Sequence, residues 1–227
     1  MLPILLEVCA NSLESASRAE SAGVKRIELC RNLEIGGLTP SYDDIRYCVN
    51  NLSLDTYVLI RPRAGDFCYH PTEFDEILRD IHFCQSVGAK GVVVGFLHPD
   101  LSVDTEKCKT AIQAAGNMQV TFHRAFDRCL HWSVALEQII ECGFHRILTS
   151  GQRKTAEEGI DILKQIVKQA DNRITILAGA GINSSNVARI IKETGVREVH
   201  GSCKTEGCMS DLNEIIRTLN IINTFNQ

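Results

Sequence analysis

The sequence predicts an α/β fold, a single (β/α)8 TIM barrel over residues 1–227, and three observations carry that prediction. First, Gly23, Gly88, Gly116, Gly143 and Gly195 each follow an amphipathic stretch and precede an apolar run. A glycine just past a helix takes positive φ without steric cost and ends it, so a strand a few residues later makes an αβ joint. Five such joints imply a serial βα repeat. Second, eight strand-like runs are expected, over 3–9, 25–30, 56–61, 91–95, 118–123, 145–149, 173–178 and 197–201. Third, 227 residues without a linker or a composition break suit one barrel, a fold of roughly 250 residues with a lower limit near 200.

Between the strands lie helical patterns. Asn11 with Glu14 resembles a capping box, and Pro71 suits a first helical turn. Phe74, Ile77, Leu78, Ile81 and Cys84 recur at helical spacing, as do Leu212, Ile215, Ile216 and Leu219. The competing architecture is an open doubly wound sheet, whose first turn would read G-x-G-x-x-G. Here it reads Val8-Cys9-Ala10-Asn11-Ser12-Leu13, without a glycine.

Apolar residues make up 44% and charged residues 23%, enough for a sizeable core. The net charge of −4 and the lack of a basic block argue against a nucleic-acid partner. The longest apolar runs are too short to span a bilayer. The apolar opening meets Glu7 at once and reads as a strand, not a signal peptide. A cytoplasmic protein is therefore expected, with its thiols reduced. The ten cysteines form no C-x-x-C pair. Cys48, Cys84, Cys108 and Cys142 fall in helical stretches and are expected as small buried hydrophobes.

Strand alternation then isolates unusual residues. The outer side of each strand must be apolar, so Glu7 and Glu28 point inward, each followed two residues later by a cysteine. Carboxylates inside a barrel need partners. Arg61 and Arg63 share one parity at the end of the third strand; Thr121 and His123 end the fifth, and His200 and Ser202 lie on the eighth. All converge on the face where barrels carry their active sites. Glu7, Glu28 and His123 are the candidate acids and bases.

Two ligand types fit this mouth. Cys9 and Cys30 fall on adjacent strands at matching depth, and adjacent strands lie about 4.8 Å apart. The pair could share a soft ion such as Cu(I), which accepts low coordination, whereas structural zinc wants four protein ligands. His123 or His200 could add a donor, as could Cys203 and Cys208; the alternative is that both thiols are packing residues. Separately, Gly179 and Gly181 after the seventh strand and Ser202 after the eighth occupy the usual phosphate position of a barrel. With Arg61 and Arg63 they make a candidate anion site, to which Thr149-Ser150-Gly151 could add donors. The glycine-bearing loops 35–40 and 64–69 are expected over the mouth.

The chain resembles the CutC copper-homeostasis family along nearly its whole length. The resemblance rests on Leu6-Glu7-Val8-Cys9, Arg26-Ile27-Glu28-Leu29-Cys30, Gly36-Gly37-Leu38-Thr39-Pro40-Ser41, Ile60-Arg61-Pro62-Arg63-Ala64-Gly65-Asp66-Phe67-Cys68-Tyr69, Val120-Thr121-Phe122-His123-Arg124-Ala125-Phe126-Asp127, Leu148-Thr149-Ser150-Gly151 and Glu198-Val199-His200. It implies a (β/α)8 barrel, cytosolic copper handling, Cu(I) held by Cys9 and Cys30, and a homodimer or higher homo-oligomer. Relatives often carry a longer polar segment before the final helix, which Lys204 to Ser210 bridges directly here. A second reading keeps the same mouth but makes it an enzyme site for a small anionic or phosphorylated metabolite, with the arginines and glycine loops holding the anion.

Overall fold

The computed structural model describes residues 3–205, 207 and 209–227. Eight parallel strands close into a barrel in sequence order, each paired with the next and β8 with β1. They are β1 (Leu5–Ala10), β2 (Arg26–Leu29), β3 (Asp55–Leu59), β4 (Gly91–Val94), β5 (Gln119–Phe122), β6 (Arg146–Thr149), β7 (Thr175–Gly179) and β8 (Glu198–Gly201). The helices are α1 (Leu13–Ser21), α2 (Tyr42–Asn51), α3 (Pro71–Val87), α4 (Thr105–Ala115), α5 (Trp132–Glu141), α6 (Ile160–Ala170), α7 (Val187–Thr194) and α8 (Leu212–Thr224). Every expected strand is present with its ends within two residues. Gly88 and Gly195 cap α3 and α7 at φ +85° and +76°, which explains glycine at those joints.

Two helix details differ from expectation. The N-cap of α1 is Ser12, whose hydroxyl accepts from Ser15 N; Asn11 instead accepts from the Ser15 hydroxyl. On α8 the buried face is Glu214, Ile215, Thr218 and Ile222, while Ile216 faces outward. Glu214 is drawn inward because it caps the loop after β7, accepting from Ser184 N and Oγ at 2.6 and 3.0 Å. α3 begins at Pro71 as its sequence implies, and Glu73 reaches back to the His70 amide at 2.8 Å. Cys48, Cys84, Cys108 and Cys142 are buried, as expected of packing residues.

The main core lies between strands and helices, where Leu6, Val8, Ile27 and Leu29 point outward. The interior is different. A small apolar cluster of Cys9, Cys30, Tyr57, Leu59 and Val93 fills one side. Beneath it, at the N-terminal ends of the strands, Arg26 pairs with Glu198, and Arg146 Nε lies 3.0 Å from Glu198. Both guanidinium groups sit 5.1 Å from the Tyr57 ring centroid. The barrel floor is thus an ion-paired plug that carries charge into the interior without leaving it uncompensated.

Candidate functional site

Arg26 shares strand parity with Glu28 and Cys30, so all three turn inward. Arg26 Nε lies 2.6 Å from Glu7 Oε2, and Glu7 Oε1 lies 2.8 Å from His200 Nδ1. Glu7 is 1% exposed and sits under the site, not on its surface. Its partner is Arg26 rather than Arg61 or Arg63. The same alternation that turned Glu28 inward marks Arg26 too.

Cys9 and Cys30 do not stand at one height. Cys9 is registered with Glu28, and Glu7 with Arg26. Closing a barrel staggers neighbouring strands, so equal positions along the sequence are not level. The two thiols meet diagonally, Sγ to Sγ 3.7 Å. The stagger also brings Glu28 to the Cys9 layer. Ligand atoms of Cys9, Glu28 and His200 lie within 4.8 Å of one another, and His200 Nδ1 is 3.4 Å from Glu28 Oε2. Since Nδ1 is engaged by Glu7, Nε2 is the His200 nitrogen available to a ligand.

The electrostatics follow from burial and neighbours. Burial alone would raise the Glu7 pKa, but Arg26 and His200 outweigh it and hold Glu7 at about 2. Burial pushes Glu28 to about 7; the neighbouring His200 opposes that rise and the Glu7 charge adds to it. The hydrogen bond to Cys30, burial and the nearby carboxylates all push the Cys9 thiol up. Burial works against a charged His200, yet Glu28 and Glu7 keep its pKa above the usual value. His123 is driven down to about 3 by burial and by Arg61.

An inner pocket of about 290 Å³ opens above this cluster. Cys9, Glu28, Cys30, Arg61, His123, Gly181 and Ser202 all line it, so most of the residues chosen from the sequence converge. Three do not. Glu7 lies beneath. Arg63 turns away to Glu73 and Asp66, at 2.5 and 2.9 Å, and lines a second, outer cavity. Gly179 makes room: a Cβ there would lie 2.5 Å from Leu148 Cδ1 and 3.3 Å from His200 Cβ. Donors after β6 are also committed, since Thr149 Oγ1 and Ser150 N and Oγ all donate to Asp127. Cys203 is buried, and Cys208 lies outside the described residues. Arg124 and Lys204 also line the inner pocket although neither is among the residues selected from the sequence, where His200 is only one of two candidate histidines. Arg124 follows His123 directly, so the same strand end pointed to it.

A parallel barrel with a thiol–carboxylate–imidazole cluster at its C-terminal mouth defines the class, and residues 4–205 match the sequence model of the CutC family. This chain belongs to the CutC family. It is 48% identical over 199 residues to the family protein CutC of Pasteurella multocida (strain Pm70), covering 88% of this chain and 82% of that one. It is 48% identical over 201 residues to the family protein CutC of Bacteroides fragilis (strain YCH46), covering 88% and 80%. A solved structure provisionally assigned to copper homeostasis, CutC from Streptococcus agalactiae, superposes with a TM-score of 0.83 at 34% identity, covering 88% of this chain and 98% of that one. N-(5'-phosphoribosyl)anthranilate isomerase from Pyrococcus furiosus, at 13% identity and a TM-score of 0.66 over 97% of this chain and 99% of that one, shares the fold. Among the described residues, no helix is long and apolar enough to cross a membrane.

Proposed function

We propose that this chain is a copper homeostasis protein that binds Cu(I) at the mouth of its barrel, through Cys9 and Cys30. The observation that carries the reading is the 3.7 Å separation of the two thiol sulfurs. With metal–sulfur bonds of about 2.3 Å, that separation subtends roughly 107° at a shared ion. A linear two-thiolate site would need the sulfurs about 4.6 Å apart. The pair is therefore preset for a bent site with a further donor, and Glu28 and His200 each bring a ligand atom within 4.8 Å of the Cys9 sulfur. Thiolate and imidazole together suit Cu(I). Glu7 fixes the His200 ring by accepting from Nδ1. The nine described cysteines are all free, in keeping with a reducing compartment and the cytosol.

The test is an anaerobic Cu(I) titration against a competing chelator, comparing the parent with the Cys9→Ser, Cys30→Ser double variant. One tight equivalent in the parent, lost in the variant, supports the reading. Weak binding by the parent, or binding unchanged in the variant, removes it.

A further inference from the structure

Arg61 is a buried cation without a counter-ion. It is 5% exposed, and its guanidinium donates to the backbone carbonyls of Ile35, Gly37 and Gly65 at 3.3, 3.1 and 3.0 Å, with the Tyr69 hydroxyl beside it and its face over the Phe67 ring at 5.0 Å. No carboxylate among the described residues pairs with it. A buried charge in that state is costly unless something else neutralises it.

The charge stands on the boundary between two cavities. Gly36, Arg61, Phe67 and Arg124 line both the inner pocket and the outer cavity of about 830 Å³. Arg61, Arg63, Arg124 and Arg128 all line the outer cavity, against only Asp66 and Asp127. Asp66 is paired with Arg63, and Asp127 with Arg124 at 2.8 Å. Arg128 is exposed and has no ion pair among the described residues. Arg61 and Arg128 are thus left as two uncompensated guanidinium groups, in a protein whose net charge is −4. The inner pocket also holds cations, Arg61, Arg124 and Lys204, beside Glu28, two thiols, Leu59 and Leu148, but Arg128 lines the outer cavity alone, so the two uncompensated guanidinium groups can meet one dianion only there.

The inner pocket nonetheless offers one specific donor. His123 Nδ1 accepts from Ala125 N at 3.2 Å, which places the proton of the neutral ring on Nε2. That Nε2 is buried and has no hydrogen-bond partner. An orphaned buried donor is rare and expects an acceptor.

We propose that the outer cavity is a subsite for the dianionic phosphate of a small phosphomonoester, whose uncharged, oxygen-bearing organic part enters the inner pocket and accepts from His123 Nε2. Two guanidinium charges match a phosphate dianion in charge and in planar, multidentate geometry. This inference does not depend on metal binding at the thiols.

The test is calorimetric titration of the reduced, metal-free full chain at low salt with three probes: inorganic phosphate, glycerol 3-phosphate and citrate. The parent is expected to bind phosphate saturably and glycerol 3-phosphate more tightly. Arg128→Ala, at an exposed and unpaired position, weakens both by about tenfold, the size expected for one charge-assisted contact. His123→Asn keeps an acceptor for the Ala125 amide but lacks an atom at the Nε2 position. It is expected to remove the advantage of the ester and leave phosphate binding as in the parent. Absence of saturable phosphate binding, or an Arg128→Ala variant that binds phosphate like the parent, overturns the subsite. A glycerol 3-phosphate affinity equal to that of phosphate overturns the two-cavity ligand, and citrate binding tighter than both phosphates overturns the phosphate assignment.

Discussion

His200 Nδ1 lies 2.8 Å from Glu7 Oε1, and the other Glu7 oxygen lies 2.6 Å from Arg26 Nε, so one carboxylate joins the ion-paired floor of the barrel to the imidazole at its mouth. Glu7→Gln removes the shared charge and can keep at most one of the two links, as a neutral hydrogen bond, so Arg26 is left ion-paired with Glu198 alone. Removing one partner of a buried pair typically costs about 3–5 kcal/mol. Urea unfolding of the variant should show a loss of that size. Loss of the partner that orients a metal-binding histidine typically costs about 10–100-fold in metal affinity, and the Cu(I) titration should register it. A variant that keeps the parent's copper affinity would detach His200 from the metal site.

Copper binding should also be proton-linked. The hydrogen bond to Cys30, burial and neighbouring carboxylates hold the Cys9 thiol protonated at neutral pH. Binding as a thiolate must then release that proton, so affinity rises with pH, by about tenfold per unit for each thiol proton released. Competition titrations at pH 6, 7 and 8 should show affinity weakest at pH 6. A flat profile would mean that the ion is held without Cys9 as thiolate.

How much of this was legible in the sequence depended on the range over which each feature is decided. Strand positions and inward parity are local, and Glu7, Cys9, Glu28 and Cys30 all turn inward as alternation requires. Height around the barrel is not local. It depends on the stagger imposed by closure, and it set Cys9 opposite Glu28 instead of level with Cys30. Partner choice is equally non-local. Arg63 matched Arg61 in parity, yet Glu73 at the start of α3 and Asp66 in its own loop drew it out of the inner pocket. Gly179 looked like a backbone anion cradle, but the close approach of Leu148 and His200 accounts for it.

The floor of the barrel makes a separate prediction. Gly91 makes room for the Tyr57 ring, against which both the Arg26 and Arg146 guanidinium groups lie. A Cβ at Gly91 would lie 2.3 Å from Tyr57 Cε1 and 2.7 Å from the Gln119 carbonyl oxygen. Neither the ring, buried and held against two guanidinium groups, nor the backbone can yield cheaply. Gly91→Ala should therefore destabilise by about 1–3 kcal/mol, the usual cost of overpacking. Thermal unfolding checks it, and a variant as stable as the parent would mean that the ring is free to move.

The last prediction concerns pH and stability. Burial, aided by the Arg61 charge, lowers the His123 pKa to about 3 from an ordinary 6.5. Between those values the unfolded chain binds a proton that the native ring refuses. The contribution of a neutral His123 is therefore complete above pH 6.5 and is lost as pH falls toward 3. Between pH 7.5 and pH 5 that loss is about 2 kcal/mol for this one group. His123→Asn carries no titrating ring, so the stability gap between parent and variant should shift by about that amount in favour of the variant at pH 5. Urea unfolding of both proteins at the two pH values measures the gap directly and cancels the other titrating groups they share. A gap that does not change with pH would mean that the native ring accepts a proton as readily as the unfolded chain. It would then present a charged imidazole, not a neutral donor, to the inner pocket.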